Sequence, residues 1–361
     1  MSDGGGGGEW KQQTEPIDRN DVLREEFDRA TELSSHEWPH TDVDVEQEFA
    51  ELQLVGQGTY GAVFLARHLP DSTELLALKM FIEPTPPRTD ATLHEHDVYE
   101  ERWSVFDADS RNEVRNALYM RAVSARDHAY ACPPHIVCYV AHFEAPFARA
   151  ATRGVIASAR ALAPDVIHRF LLTHYVEGIQ IEQLWHHPAE QTGLTLTSYY
   201  RLLATAAFAL NRMHEARAYH RDLSSANIQV HSWDNEERAE SVIIDLGASC
   251  VSFDSAGVTR CDLNGPARVN TVYRPPEVDS VRLRYPGNID AAMSARDVFS
   301  LGVIFLRLHA VLGTPGSRLL RVLGRATSTD WRRRPSAYAI AHFAGMVLHP
   351  NSDPPVQQTT S

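Results

Sequence analysis

Between residues 51 and 83 the apolar pattern has a period of two, and a short glycine-rich stretch splits it. ELQLVGQGTYGAVFLARHL followed by ELLALKMFIE reads as a strand, a Gly-rich turn, a second strand and a third. Alternating side chains place one face of such strands on a core, so the region must form part of a sheet. The glycines Gly56, Gly58 and Gly61 lie between two strands, with Tyr60 at the tip and Val55 and Val63 flanking them. A dinucleotide fingerprint needs strand, glycines and then helix, so this order argues against one. It suits a glycine hairpin whose backbone N–H groups lie over nucleotide phosphates. A plain turn is the simpler alternative for any one glycine cluster.

The rest of the chain changes character twice. Residues 84–110 contain Pro, Asp and His and read as an insertion, and RNEVRNALYMRAVS (111–124) reads as a helix. HIVCYVAHFE (135–144) and HRFLLTHYVE (168–177) read as two more strands, with an Ala/Arg-rich insertion over 145–167. From SYYRLLATAAFALNRMHEAR onward the pattern is helical. The expected class is α+β, bilobal, with a small β-rich lobe over 48–177 and a larger, mainly helical lobe over 178–348. Residues 1–47 form an acidic, partly disordered leader with a weak amphipathic helix over 20–33, docked or solvated, and 349–361 form a disordered tail.

Composition narrows the function classes. The chain carries a net charge of −13 over 361 residues, and −10 of it falls in the first 50. Nucleic acid is not favoured as a partner, because phosphate binding needs concentrated positive charge. The apolar runs fall short of the ~18 residues of a membrane span, and the opening residues lack a signal-peptide core. A soluble protein of the cytoplasm or nucleus is the expectation. The four cysteines show no CxxC or zinc spacing, which argues against a disulfide scaffold and against a structural metal.

Only two of the 34 basic residues are lysines, Lys11 and Lys79. Lys79 lies in LALKM with apolar neighbours on both sides. A solvated lysine is the ordinary reading. One that faces inward from a strand needs an anion, from bound phosphate or a helix carboxylate. Glu113 is the chosen carboxylate, with Glu100 and Glu101 as nearby alternatives. Downstream, YHRDLSSAN places Asp222 and Asn227 on one loop. Asp222 suits acceptance of a hydroxyl proton, and Asn227 suits an oxygen contact to Mg²⁺. VIIDLG then gives Asp245 at a strand end as a second Mg²⁺ ligand.

The collinear series GQGTYGAV, LALK, a helix Glu, HRDLSSAN, DLG, YRPPEV, DVFSLGVIF and RRRPSA resembles the eukaryotic protein-kinase superfamily over about residues 50–348. The resemblance implies the following roles. Gly56, Gly58 and Gly61 cover the phosphates of ATP. Lys79 contacts those phosphates and pairs with Glu113. Asp222 orients the substrate hydroxyl, and Asn227 and Asp245 hold Mg²⁺. Val63 and Ala77 pack on adenine, Thr173 is the gatekeeper, and His174 to Val176 form the hinge. Glu277 pairs with Arg334, and Asp297 braces the catalytic loop. Protein hydroxyls are the implied substrate, with an upstream activating kinase as a further partner. That kinase would act on Ser252, Ser255 or Thr259, with Thr259 preferred and Arg221, Arg260 and Arg268 receiving the phosphate.

Several positions depart from the family pattern. Ser224 stands where Ser/Thr members carry Lys, and Ala226 where Tyr members carry Arg. Thr271 lies one residue closer to Glu277 than the usual threonine, and Gln229 replaces the apolar floor of the adenine pocket. The separation of 37 positions from Asp297 to Arg334 implies a shortened helical region. Two functions follow as alternatives: a Mg-ATP-dependent Ser/Thr protein kinase, or a pseudokinase or very slow kinase that serves as an ATP-binding scaffold.

Overall fold

A computed structural model describes residues 18–35, 38–39, 45–58, 61–68, 73–84, 87, 90–128, 132–147, 167–186, 193–253, 258–259, 261, 271–279, 289–312 and 317–348. The fold is mixed α+β. Five strands form an antiparallel sheet: β1 (Phe49–Gly58), β2 (Gly61–His68), β3 (Leu75–Phe81), β4 (Tyr139–Pro146) and β5 (Ile167–His174), in the order β1-β2-β3-β5-β4. The period-two pattern decides its faces. Ala62, Phe64 and Ala66 of β2 and Leu76, Leu78 and Met80 of β3 are all buried on one side. They pack with Phe143, Phe147 and Phe170, and with Val45 of the short helix ahead of β1, in a core separate from that of the helical half. Val63, Leu65, Ala77 and Lys79 face the other side and are half-buried.

Two helices, α1 (Arg19–Ser35) and α2 (Val45–Glu48), precede the sheet; helix α3 (Leu93–His128) packs against β4 and meets that other side through Glu113, which bonds Lys79. The 36-residue length of α3 corrects the expectation of an insertion over 84–110 followed by a helix from 111. The prolines of that stretch lie at 84, 86 and 87, ahead of the helix. Its start is set by a reciprocal cap. Thr92 N–H donates to Glu95 Oε2 at 2.7 Å, and Glu95 N–H donates to Thr92 Oγ1 at 3.3 Å. Buried Arg169 of β5 then holds the early turns. It bonds Asp107 at 2.6 Å and Glu144 at 3.1 Å, with its guanidinium over the rings of Trp38, Trp103 and Phe106.

The second half is built on helices α4 (Leu196–Glu215), α5 (Ile289–Leu312), α6 (Ser317–Ala326) and α7 (Ala337–Leu348). Thr195 caps α4, accepting from the Ser198 N–H at 3.1 Å. Leu203, Leu210, Val298, Phe305 and Ile340 meet in one large core. This half also carries short strands: β6 (Ile179–Gln180), β7 (Ala218–Tyr219), β8 (Ile228–His231), β9 (Glu240–Ile243), β10 (Cys250–Phe253) and β11 (Val258–Thr259). They form two three-stranded sheets, β6-β8-β9 and β11-β10-β7. None of the described helices is long and apolar enough to cross a membrane.

The leader helix α1 is docked. Leu23, Phe27 and Ala30 are buried on α3 and β10. Phe27 meets Tyr119 and Phe253 edge-on, with the Arg115 guanidinium over its ring. Arg126 of α3 bonds Glu26 at 3.0 Å, and Arg111 reaches the Ser34 carbonyl at 2.9 Å. The i, i+4, i+7 stripe of α1 is therefore a packing face. Phe27→Ala is expected to cost about 3 kcal/mol, read as a shift in the urea midpoint. An unshifted midpoint would mean that α1 adds nothing to stability.

The cysteines correct a second expectation. All four form bridges, Cys132–Cys138 and Cys250–Cys261, each with a Cα–Cα distance of 5.3 Å. Their separations of six and eleven residues carry no signature by themselves; the fold of the chain brings each pair within bonding distance. Residues 1–17, 148–166 and 349–361, with their expected disorder and most of the expected second insertion, lie outside the described residues.

Candidate functional site

Sheet register builds the upper wall of the site. Val63 pairs with Lys79, which pairs with Leu171, and Leu65 pairs with Ala77, which pairs with Thr173. Directly opposed residues share a face. Val63, Ala77, Lys79 and Thr173 therefore line the same surface, on the side turned away from the sheet core. β1 and β2 meet at Gly58 and Gly61. A Cβ on Gly61 would sit 2.8 Å from the Met80 carbonyl and 3.4 Å from Lys79 Cε, so the strands close over Lys79 only with glycine there. Gly56 lies within β1, and Val55 beside it is exposed. Tyr60 lies outside the described residues.

Lys79 sits between two carboxylates. Its Nζ is 2.6 and 2.7 Å from the two oxygens of Glu113 and 3.6 Å from Asp245 Oδ1. Burial alone would lower the lysine, but Asp245 and Glu113 outweigh it and hold Lys79 above its ordinary value. Burial pushes Glu113 up to about 7 against the attraction of Lys79, and the charge of Asp245 adds to the rise. The Lys79 cation holds Asp245 below the usual carboxylate range, helped by the Gly247 N–H, which donates to Oδ1 at 3.1 Å. Glu113, and not Glu100 or Glu101, therefore meets the lysine.

The loop that carries Asp245 is strained and clamped. Asp245 has φ 61°, in the left-handed region, where a non-glycine residue costs about 1–3 kcal/mol. A Cβ on Gly247 would lie 3.1 Å from both Asp245 Oδ1 and Glu113 Oε2. Two residues missed by the sequence reading hold the loop to α3. Asn112 donates to the carbonyls of Gly247 and Ser249 at 2.7 and 3.1 Å. Asn116 donates to those of Leu246 and Ser249 at 3.0 and 2.9 Å. Their signal was present in RNEVRNAL, where two amides four residues apart flank Glu113 on a helix.

Asp222 and Asn227 lie on the connection from β7 to β8. Asn227 Nδ2 donates to the Asp222 carbonyl at 2.9 Å, which assigns its amide oxygen as the atom for a cation. The Ile244 N–H donates to the Asn227 carbonyl at 3.0 Å, joining this loop to the Asp245 loop. Buried Asp297 of α5 braces the same connection. Its carboxylate accepts the N–H groups of His220 and Arg221, each at 2.8 Å, and bonds His214 at 3.1 Å. Burial opposes its ionisation, but the His214 contact, the histidine charges and the Arg221 N–H hold its carboxyl below the usual carboxylate range. Arg221 has φ 68°, so the brace also fixes strained backbone next to Asp222.

The remaining expected residues fall around this centre. Ser224 is buried, and Ser225 bonds Glu182 at 2.9 Å and Tyr273 at 2.7 Å. Gln229 is half-buried, paired with Gln180 and Val242. Thr271 is exposed. At the end of β5, the His174 N–H donates to the Cys138 carbonyl and the Tyr175 N–H to the Leu75 carbonyl, each at 3.0 Å. Val176 follows as a half-buried residue. Glu277 and Arg334 form a buried two-point pair at 2.5 and 2.7 Å.

Of the expected phosphate acceptors, Ser252 is fully buried, so it is not accessible in this conformation. It pairs with Thr259 in the β10–β11 hairpin, which the Cys250–Cys261 bridge closes. Ser255, Arg260 and Arg268 lie outside the described residues, as does the Thr259 side chain. Comparison with models of protein families gives no match, and comparison with curated proteins gives none.

Proposed function

We propose that the chain is a Mg-ATP-dependent Ser/Thr protein kinase with a bilobal kinase fold. In this fold the five-stranded sheet and α3 form the small lobe and the helical half forms the large one. The observation that carries the reading is the Lys79–Glu113–Asp245 cluster, placed beside a braced loop bearing Asp222 and Asn227. A structural ion pair needs one carboxylate. Here a cation is shared by two, one of them on strained backbone.

The donor set fits a hard divalent cation. Asp245 is held ionised, and Asn227 has its amide nitrogen already engaged. These two residues would hold Mg²⁺, which would supply positive charge against the phosphates of ATP. Lys79, fixed by Glu113, binds phosphate oxygens of ATP under the glycine hairpin. Asp222 orients the substrate hydroxyl and accepts its proton. Val63 and Ala77 pack on adenine. The His174 and Tyr175 N–H groups are already used, so the hinge donor falls to Val176. An upstream kinase acting near Thr259 belongs to the same proposal.

The buried Ser224, in place of a lysine, favours the second reading of an ATP-binding scaffold. One assay separates them. Purified protein with γ-labelled ATP, Mg²⁺ and generic protein substrates transfers label to Ser and Thr, and Asp222→Asn lowers the rate by roughly 10²–10⁴. No transfer, with thermal stabilisation by ATP retained, identifies the scaffold. Neither transfer nor stabilisation overturns both readings.

A further inference from the structure

Three soft or borderline donors converge at the hinge end of the sheet. The sulfurs of Cys132 and Cys138 and a ring nitrogen of His174 all lie within 4.8 Å of one another. They come from the segment between α3 and β4, from the approach to β4 and from the last residue of β5. Glu74, just ahead of β3, places Oε1 2.6 Å from His174 Nδ1. The Cys138 carbonyl is already tied to the His174 N–H at 3.0 Å, so strand pairing holds the group together independently of the sulfurs.

We infer that Cys132, Cys138 and His174, supported by Glu74, form a Zn²⁺ site in the reduced protein, and that the Cys132–Cys138 disulfide and the metal exclude each other. Two thiolates and an imidazole are the donors zinc takes in tetrahedral sites, and they do not suit Mg²⁺ or Ca²⁺. Zn–S bonds of about 2.3 Å and Zn–N bonds of about 2.0 Å set ligand separations of roughly 3.3–3.8 Å. The observed cluster reaches these by a shift of about an ångström and by parting of the two sulfurs. Glu74 supplies either the fourth, oxygen ligand or the carboxylate that orients the ring through Nδ1.

The exchange balances with a dithiol reductant. The reductant gives two electrons and two protons and becomes a disulfide. The Cys132–Cys138 bond breaks, and each sulfur takes one proton. Zinc binding then releases those two protons to solvent. A reducing cell interior keeps such pairs as thiols, the state that binds metal. Because His174 is the first hinge residue of the proposed kinase, the exchange would act where adenine is held. The site itself does not depend on that reading.

Full-length protein is reduced, freed of metal and titrated with Zn²⁺ alone, beside a diamide-oxidised sample. Reduced wild type is expected to retain one more equivalent than oxidised protein. Co²⁺ in its place is expected to give sulfur-to-metal charge transfer and tetrahedral visible bands. Both are lost in Cys132→Ser/Cys138→Ser and kept in Cys250→Ser/Cys261→Ser. Glu74→Gln, an exposed change that keeps the fold, is expected to weaken zinc about 10–100-fold. Uptake by reduced wild type no greater than by Cys132→Ser/Cys138→Ser would overturn the site, as would dependence on the 250/261 pair. ATP enters neither readout, so failure here is distinct from failure of the kinase reading.

Discussion

Lys79→Met is expected to keep the fold and, on the proposed kinase reading, to lower phosphoryl transfer by at least ~10²-fold, the cost of removing a charged donor from the phosphates. Methionine keeps the length of the side chain and removes its charge. Glu113 and Asp245 are then left facing each other without the cation between them. Burial already raises Glu113 to about 7 in the native protein, and loss of Lys79 raises it further. A carboxyl raised on folding leaves stability whole below its unfolded value of about 4.3 and erodes it as pH climbs. In the native protein that erosion stops near pH 7. In the variant it continues above, at up to ~1.4 kcal/mol per pH unit. Lys79 also holds Asp245 low, and that stabilisation, present above the unfolded carboxylate value, disappears with it. Thermal melts at about pH 6 and pH 8.5 should therefore show a gap between variant and native protein that widens upward. A gap independent of pH would mean that burial does not raise Glu113. Native-level transfer by the variant would remove Lys79 from the proposed chemistry.

Local signals made much of this legible. Two strands around glycines, a lone lysine in an apolar strand and an acid on the next helix are short-range patterns, and the structure brings those residues together. The alternation LALKM also gives the correct face for Lys79. What escaped depended on contacts far apart in sequence or on a cap passed over. The early half of α3 reads as an insertion because its polar residues hide the period. The Thr92–Glu95 cap marks its start, and Arg169, 62 residues from Asp107, fixes its place. The cysteine pairs fit no motif: the β10–β11 hairpin joins Cys250 to Cys261, and a turn of the segment between α3 and β4 joins Cys132 to Cys138. Whether α1 would dock was left open by its weak stripe. Phe27 settles it through Tyr119 and Phe253, partners that no local pattern connects to the leader.

Arg334→Ala is expected to destabilise the fold by about 4–5 kcal/mol, the upper range for breaking a buried ion pair. The Arg334 side chain is 0% exposed and that of Glu277 3%. Arg334 also donates to the carbonyls of Ser328 and Ala295 at 2.9 and 3.1 Å, and its guanidinium lies over the ring of Phe299. Alanine therefore takes the two-point contact from the buried Glu277 carboxylate and a donor from two carbonyls, and leaves a cavity beside Phe299. The pair anchors the short turn Pro276–Asp279 to α5 and to the turn Trp331–Arg333. The segment that follows Asp245 in the chain is fixed at its far end by this contact. Its loss should loosen that segment before the sheet core responds, read as early hydrogen exchange over 271–279. Lysine is a poor substitute, since it cannot make the two-point contact and the Ser328 bond together. Glu277→Leu combined with Arg334→Met tests the cause. Removing both charges is expected to recover most of the stability, because two matched apolar groups need no partner in a dry site. A double variant as unstable as the sum of its singles would show that packing, and not the broken ion pair, sets the loss.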